Sequence, residues 1–154
     1  MWRVATLADD ETICRMCLDY YREDPGVAQV SLDHIRRTVE TLRWEAHRGR
    51  TVVLDVDGHV VGYALLIAFW SNELGGEVCD IDEVFVMAPY RNKGHGSALF
   101  DAIETGDLWP GFLVALALGV TPDNCRARRL YERLGFSAIG TSMIRRLPAA
   151  KVGS

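Results

Sequence analysis

The sequence predicts a mixed α/β fold, a mostly antiparallel sheet with helices on both faces, and three observations predict it. Two capped helical segments precede Gly49, after which the pattern changes to β-rich runs from Thr51 onward. The pair Asp57-Gly58 sits between two such runs, which marks a hairpin and hence antiparallel pairing. A strand, a glycine-rich turn, a helix and a wholly apolar run then follow over residues 78–118, the order of a βαβ-like crossover.

Taken in order, Trp2 to Leu7 alternates and reads as a first strand. Asp9 or Asp10 caps a helix running to about Arg22, closed by Asp24-Pro25-Gly26. Ser31 caps a second helix to about His47, with Ile35, Val39 and Leu42 at helical spacing and Gly49 beyond its end. Thr51 to Val56 and Val60 to Trp70 are the hairpin strands, and Ser71 to Gly76 turns the chain into a strand from Val78 to Val86. Ser97 to about Glu104 carries Leu99, Phe100 and Ile103 as a buried helix would. Phe112 to Leu118 is apolar throughout, which predicts a central strand packed on both faces. Asn124 caps a helix from Cys125 to Leu134, stopped by Gly135. Two short strands, Phe136 to Gly140 and Ser142 to Leu147, complete one domain over residues 1–148, leaving 149–154 as a tail.

Bulk properties narrow the function. With 154 residues and 49% hydrophobic content the chain can build one real core. A net charge of -4 argues against a nucleic-acid partner, which would need a basic excess. The segment Met1 to Asp10 has no apolar signal-peptide region, and the longest apolar run, Val60 to Trp70, is too short to span a bilayer. These features predict a cytoplasmic protein with no membrane partner. Cys14 and Cys17 form a CxxC pair, but Cys79 and Cys125 stand alone and His34, His47, His59 and His95 show no ligand spacing. Ordinary core thiols and no metal are the expectation.

The segment that carries chemistry is Arg91-Asn92-Lys93-Gly94-His95-Gly96-Ser97, between a strand and a helix. Glycines let the backbone turn with its N–H groups inward, and a helix start adds partial positive charge. Together they suit an anion such as a diphosphate. No Gly-Lys-Ser/Thr follows, and position 99 is Leu, so neither a P-loop nor the dinucleotide fingerprint is present. On those letters alone the loop is either a phosphate cradle or a tight strand-to-helix turn.

Arg91-x-x-Gly94-x-Gly96 resembles the Arg/Gln-x-x-Gly-x-Gly/Ala signature of the GNAT family of N-acetyltransferases, and it follows Tyr90 as that family usually has it. Asn124-x-x-Ala127-x-x-Leu130-Tyr131-Glu132-x-x-Gly135-Phe136 is similar to a second family segment, in the expected order. Ala88 stands where members often carry Pro, with Pro89 next. The resemblance implies acetyl-CoA as co-substrate, wedged between a splayed parallel pair, Val84 to Val86 and Leu116 to Leu118. Val84, Phe85 and Val86 would bond the pantetheine, and the amides from Asn92 to Ser97 (Asn92, Lys93, Gly94, His95, Gly96, Ser97) the diphosphate, with Arg91 and Lys93 as nearby charges. Asn124 would contact pantetheine, and Tyr131 would lie near the sulfur as general acid. A neutral amine would attack the thioester directly.

Asp80, Asp82 and Glu83 lead into the loop. Strand alternation puts Asp80 and Asp82 on one face and Glu83 on the other, unless a bulge realigns them. Asp82 or Glu83 is the candidate base, since neighbouring carboxylates raise one another's pKa. The stretch from Phe69 to Met87 looks most like the polyamine and diamine acetyltransferase branch. Asp80, Asp82, Glu83 and Glu77 would then hold a small cationic amine, with Trp70 or Tyr20 stacked on it. Alternatives are a protein or peptide N-acetyltransferase and a non-catalytic acyl-CoA-binding regulatory module. Dimers are common among proteins of this kind, and Met143 to Leu147 would serve a homodimer interface.

Overall fold

Five strands in chain order, β1 (Trp2–Val4), β2 (Gly49–Val56), β3 (His59–Ser71), β4 (Gly76–Val86) and β5 (Ala115–Leu118), lie side by side in one sheet in the computed structural model. It describes residues 1–24, 29–140, 143 and 145. The first four strands pair antiparallel and β5 joins β4 parallel, so the sheet is mixed as expected. The chain falls into two compact units, Met1–Gly119 and Val120–Ser154. The sheet belongs to the first, together with α1 (Asp10–Glu23), α2 (Leu32–Trp44) and α3 (His95–Glu104), whereas α4 (Cys125–Arg133) belongs to the second.

Alternation along the strands divides the apolar residues between two faces. Val53, Tyr63, Leu65 and Phe85 point to one face, where they form a single cluster with Ile13, Met16 and Cys17 of α1 and Ile35, Val39 and Leu42 of α2. Trp2, Leu54, Leu66 and Ile81 are buried on the other, where Trp2 Nε1 donates to the His95 carbonyl at the start of α3. Helices therefore cover both faces. Each fully buried side chain of this size contributes roughly 1.5–3 kcal/mol.

Local chemistry explains the turns. Asp57 (φ 53°) and Gly58 (φ 81°) take the left-handed conformations of a two-residue hairpin loop, and Asp55 Oδ1 accepts from the Gly58 amide at 2.9 Å. Gly49 has φ 141°, and a Cβ there would stand 2.0 Å from the Leu66 carbonyl oxygen. No other residue fits where β2 closes on β3.

Several boundaries move. The first strand stops at Val4, because Asp9 draws the chain into a 3₁₀ turn (Leu7–Asp9) by accepting from both the Thr6 amide and hydroxyl. The second helix ends at Trp44, with a separate 3₁₀ turn over Ala46–Arg48. The third helix begins at His95, two residues before the expected Ser97, so part of the glycine loop is helix. The run from Phe112 yields a strand only from Ala115, partly exposed and at the edge of the sheet among the described residues. Residues 136–140 form no strand. Of the last expected strand, Ser142 to Leu147, all but Met143 and Arg145 lie outside the described residues, as do Pro25 and Gly26.

Cys14 and Cys17 are buried and free within α1, and Cys125 is exposed. Among the described residues no cluster of His, Cys, Asp and Glu has the makings of a metal site, and no helix is long and apolar enough to cross a membrane.

Candidate active site

The acidic stretch of β4 is reorganised by one extra residue. Leu65 lies opposite Glu83, but Leu66 lies opposite Ile81, which leaves Asp82 unopposed as a β-bulge. Beyond the bulge the alternation inverts. Asp80, opposite Ile67, shares the α1/α2 face with Glu83, so simple alternation, which would separate Asp80 from Glu83, is overturned. Glu77 and Trp70 pair with one another on the opposite face, and Glu77 accepts there from Trp109 Nε1 at 2.9 Å. Trp70 is 71% exposed, so it is not gathered with Asp80 and Glu83.

Glu83 is only 9% exposed. Its Oε2 accepts from the Tyr63 hydroxyl at 2.8 Å, its Oε1 from the Tyr21 hydroxyl, and Cys17 Sγ lies 4.0 Å away. Burial pushes the Glu83 carboxyl above its ordinary value; the two phenols pull it down and Asp82 pushes it up. Burial likewise raises Asp82, and raises Asp80, whose neighbour Asp82 adds to the effect. Burial pushes both phenols up, and the Cys17 thiol up to about 12. A cleft of about 220 Å³ opens beside this group, with Tyr21, His34, Thr38, Asp82 and Glu83 as its polar lining. Asp80 lies outside that lining.

Further along β4 one backbone edge is left open among the described residues. Met87 donates to the Val61 carbonyl at 2.9 Å. By antiparallel alternation the amides and carbonyls of Phe85 therefore face β3, while those of Val84 and Val86 face the opposite edge. β5 pairs with β4 only from Val78 to Ile81, so this edge has no strand partner among the described residues. Val84 and Val86, and not Phe85, present main-chain groups there.

The strand then turns through Ala88–Tyr90 into the glycine loop. Asn92 (φ 64°) and Gly94 (φ 80°) are left-handed, which reverses the chain onto the axis of α3. The first bond of α3 runs from the Ala98 amide to the Gly94 carbonyl at 3.1 Å. That leaves the amides of His95, Gly96 and Ser97 outside the helical ladder, directed out of its positive end. Lys93 Nζ stands 5.4 Å over the Tyr90 ring. Arg91, expected as a charge beside the anion, is turned back. Its Nε donates to the Val86 carbonyl at 2.6 Å, and its Nη2 pairs with Glu23 at the end of α1 at 2.6 Å.

In the second unit, Asn124 caps α4 by accepting from the Ala127 amide at 3.1 Å. Tyr131 packs edge-on against Phe136 with ring centroids 5.9 Å apart, and burial pushes its phenol up. Tyr21 and Tyr63 were not among the sequence candidates. Both lie in apolar helix or strand patterns that read as plain core.

An open strand edge running into a left-handed glycine and a helix start, beside an acidic cleft, is the layout of an acyltransferase. The chain belongs to the acetyltransferase (GNAT) family, whose model matches residues 13–136. An uncharacterised N-acetyltransferase of Methanocaldococcus jannaschii is 38% identical over 86 residues, 54% of this chain and 37% of that protein. The match thus spans little more than a third of that relative's length. A possible acetyltransferase from Clostridium difficile 630 superposes with a TM-score of 0.80 and 25% identity, over 96% of this chain and 97% of the other. An aminoglycoside N-acetyltransferase solved with CoA shares the fold, with a TM-score of 0.75, 18% identity, and 96% and 93% of the two chains covered.

Proposed function

We propose that the protein transfers an acetyl group from acetyl-CoA to a primary amine by direct attack, the acceptor being a small cationic amine such as a polyamine or an amino acid. The observation that carries this reading is the Asp82 bulge. It brings Asp80 round to the face of Glu83, whose carboxyl lines a cleft beside the same strand whose open edge leads to the Gly94 turn.

The residues present fit the co-substrate. The outward groups of Val84 and the Val86 amide suit an amide-bearing arm laid along the strand. The amides of His95, Gly96 and Ser97, with Lys93, suit a diphosphate, and Asn92 and Gly94 shape the turn. When bound, acetyl-CoA supplies an activated thioester. Asp82 at the cleft attracts a cationic amine, Asp80 adds negative charge on the same face, and Glu83 accepts the proton that leaves the ammonium. Tyr131 enters as proton donor on the strength of its signature. The aminoglycoside specificity named for one structural relative supports a polycationic acceptor.

A thermal-shift series tests this reading. Acetyl-CoA raises the melting temperature, by about 2.7 kcal/mol of added stability at a hundredfold excess over Kd. A cognate amine adds a second increment. No response to acetyl-CoA would sink the assignment.

A further inference from the structure

Glu83 is held from two sides, and the two holders differ. Tyr63, on β3, is 0% exposed and meets Oε2. Tyr21, in the last turns of α1, meets Oε1 and also lines the cleft. The buried Glu83 carboxylate and Tyr63 phenol, with the half-buried Tyr21 phenol, cost desolvation, and hydrophobic residues of similar volume would fill the space with no such cost. A core that only needed filling would not carry this arrangement at the wall of a cleft that the carboxylate lines.

We propose that Tyr63 and Tyr21 are positioning residues, which fix the Glu83 carboxylate as an acceptor-only group facing the amine cleft. The inference rests on the reading of Glu83 as proton acceptor. Each phenol donates one O–H to one oxygen, so the carboxylate's remaining lone pairs are free for an incoming N–H. The groups that face Glu83 are Cys17 and Tyr21 from α1, His34 from α2, Tyr63 from β3 and Asp82 from β4. Of these, the two phenols donate to the charged form by O–H, and the weaker Cys17 thiol donor reaches Oε2 at 4.0 Å. Removing either hydroxyl makes ionisation of Glu83 harder.

The test is a carboxyl ¹³C NMR titration of the glutamate-labelled full chain, with Glu83 assigned by Glu83→Gln, alongside the pH dependence of kcat/KM. Tyr63→Phe and Tyr21→Phe keep the ring volume. Each is expected to move the Glu83 midpoint upward and to shift the acid limb of kcat/KM by the same amount. Below the midpoint kcat/KM falls on the order of tenfold, the size of a hydrogen bond to a charged group. A Glu83 midpoint unchanged in both variants would overturn the proposal. If Tyr63→Phe fails to fold, the less buried Tyr21→Phe carries the test. An upward midpoint in a protein that turns over no amine supports the positioning role and contradicts the enzymatic reading.

Discussion

Arg91 and Glu23, 68 positions apart in the chain, meet at 2.6 Å, and the same guanidinium donates from Nε to the Val86 carbonyl at 2.6 Å. One side chain thus ties the end of α1, which carries Tyr21, to the exit of β4, with its charge 5.4 Å over the Phe85 ring. The first residue of the Arg-x-x-Gly-x-Gly signature is a strut between cleft and loop. A lysine cannot reproduce a two-headed donor.

Arg91→Lys is therefore expected to destabilise by about 1 kcal/mol, a drop of roughly 2–4 °C in Tm. Glu23→Gln costs less, about 0.5 kcal/mol, because both partners of that ion pair are partly exposed. Differential scanning calorimetry of the two variants checks the ranking; equal losses would show that the Val86 bond contributes nothing.

At Gly94 a Cβ would meet nothing within 4 Å, so the φ of 80° is the whole constraint. Gly94→Val costs about 1–2 kcal/mol, and Gly94→Asn less, since Asn tolerates the left-handed region. Urea unfolding reads the difference, and CoA titration shows the same order in affinity. A Val variant as stable as wild type would mean the loop relaxes to another conformation.

Asp9 accepts from Arg3 at 2.9 and 3.0 Å and from the Thr6 amide at 2.7 Å. The Arg3 guanidinium holds its carboxyl down at about 2, from an ordinary 3.8. A depressed carboxyl stabilises the fold above its unfolded pKa and loses that contribution as pH falls through the folded one. Asp9→Asn should then cost about 2 kcal/mol at pH 7, and the difference from wild type should shrink as pH falls from about 4 to about 2. Unfolding curves across that range provide the check, and a pH-independent difference contradicts it.

Glu83 behaves in the opposite sense, since burial raises its carboxyl. Its charged form is disfavoured by folding, so activity should rise with pH as Glu83 ionises, whereas its contribution to stability is lost over the same rise. Glu83→Gln should remove the acid limb of kcat/KM and lower turnover about 10²- to 10⁴-fold, with acetyl-CoA affinity unchanged. A limb that persists in the variant assigns the titration to another group.

Much of the fold was legible because periodicity and turn residues report on local structure. Asp57-Gly58, Ser31 and Asn124 act as their letters suggest. The site was harder. The Asp82 bulge is a register shift between two strands, and nothing in the letters of β4 says where the partner strand slips. Without it Asp80 falls on the face away from Glu83, and no letter pattern pairs Glu83 with Tyr21 and Tyr63. Arg91 was legible as a signature residue, but its partner Glu23 is set by tertiary packing alone. Phe112 read as core because apolarity alone does not show that it is 85% exposed.

The central claim is acetyl transfer to an amine through Glu83, and release of free CoA thiol from acetyl-CoA across a panel of polyamines, amino acids and aminoglycosides tests it most directly. The account predicts thiol above background with at least one cationic amine, strongly reduced in Glu83→Gln and in Tyr131→Phe while both variants still bind acetyl-CoA. Binding of acetyl-CoA with no amine-dependent thiol release, or full turnover by Glu83→Gln, would contradict it.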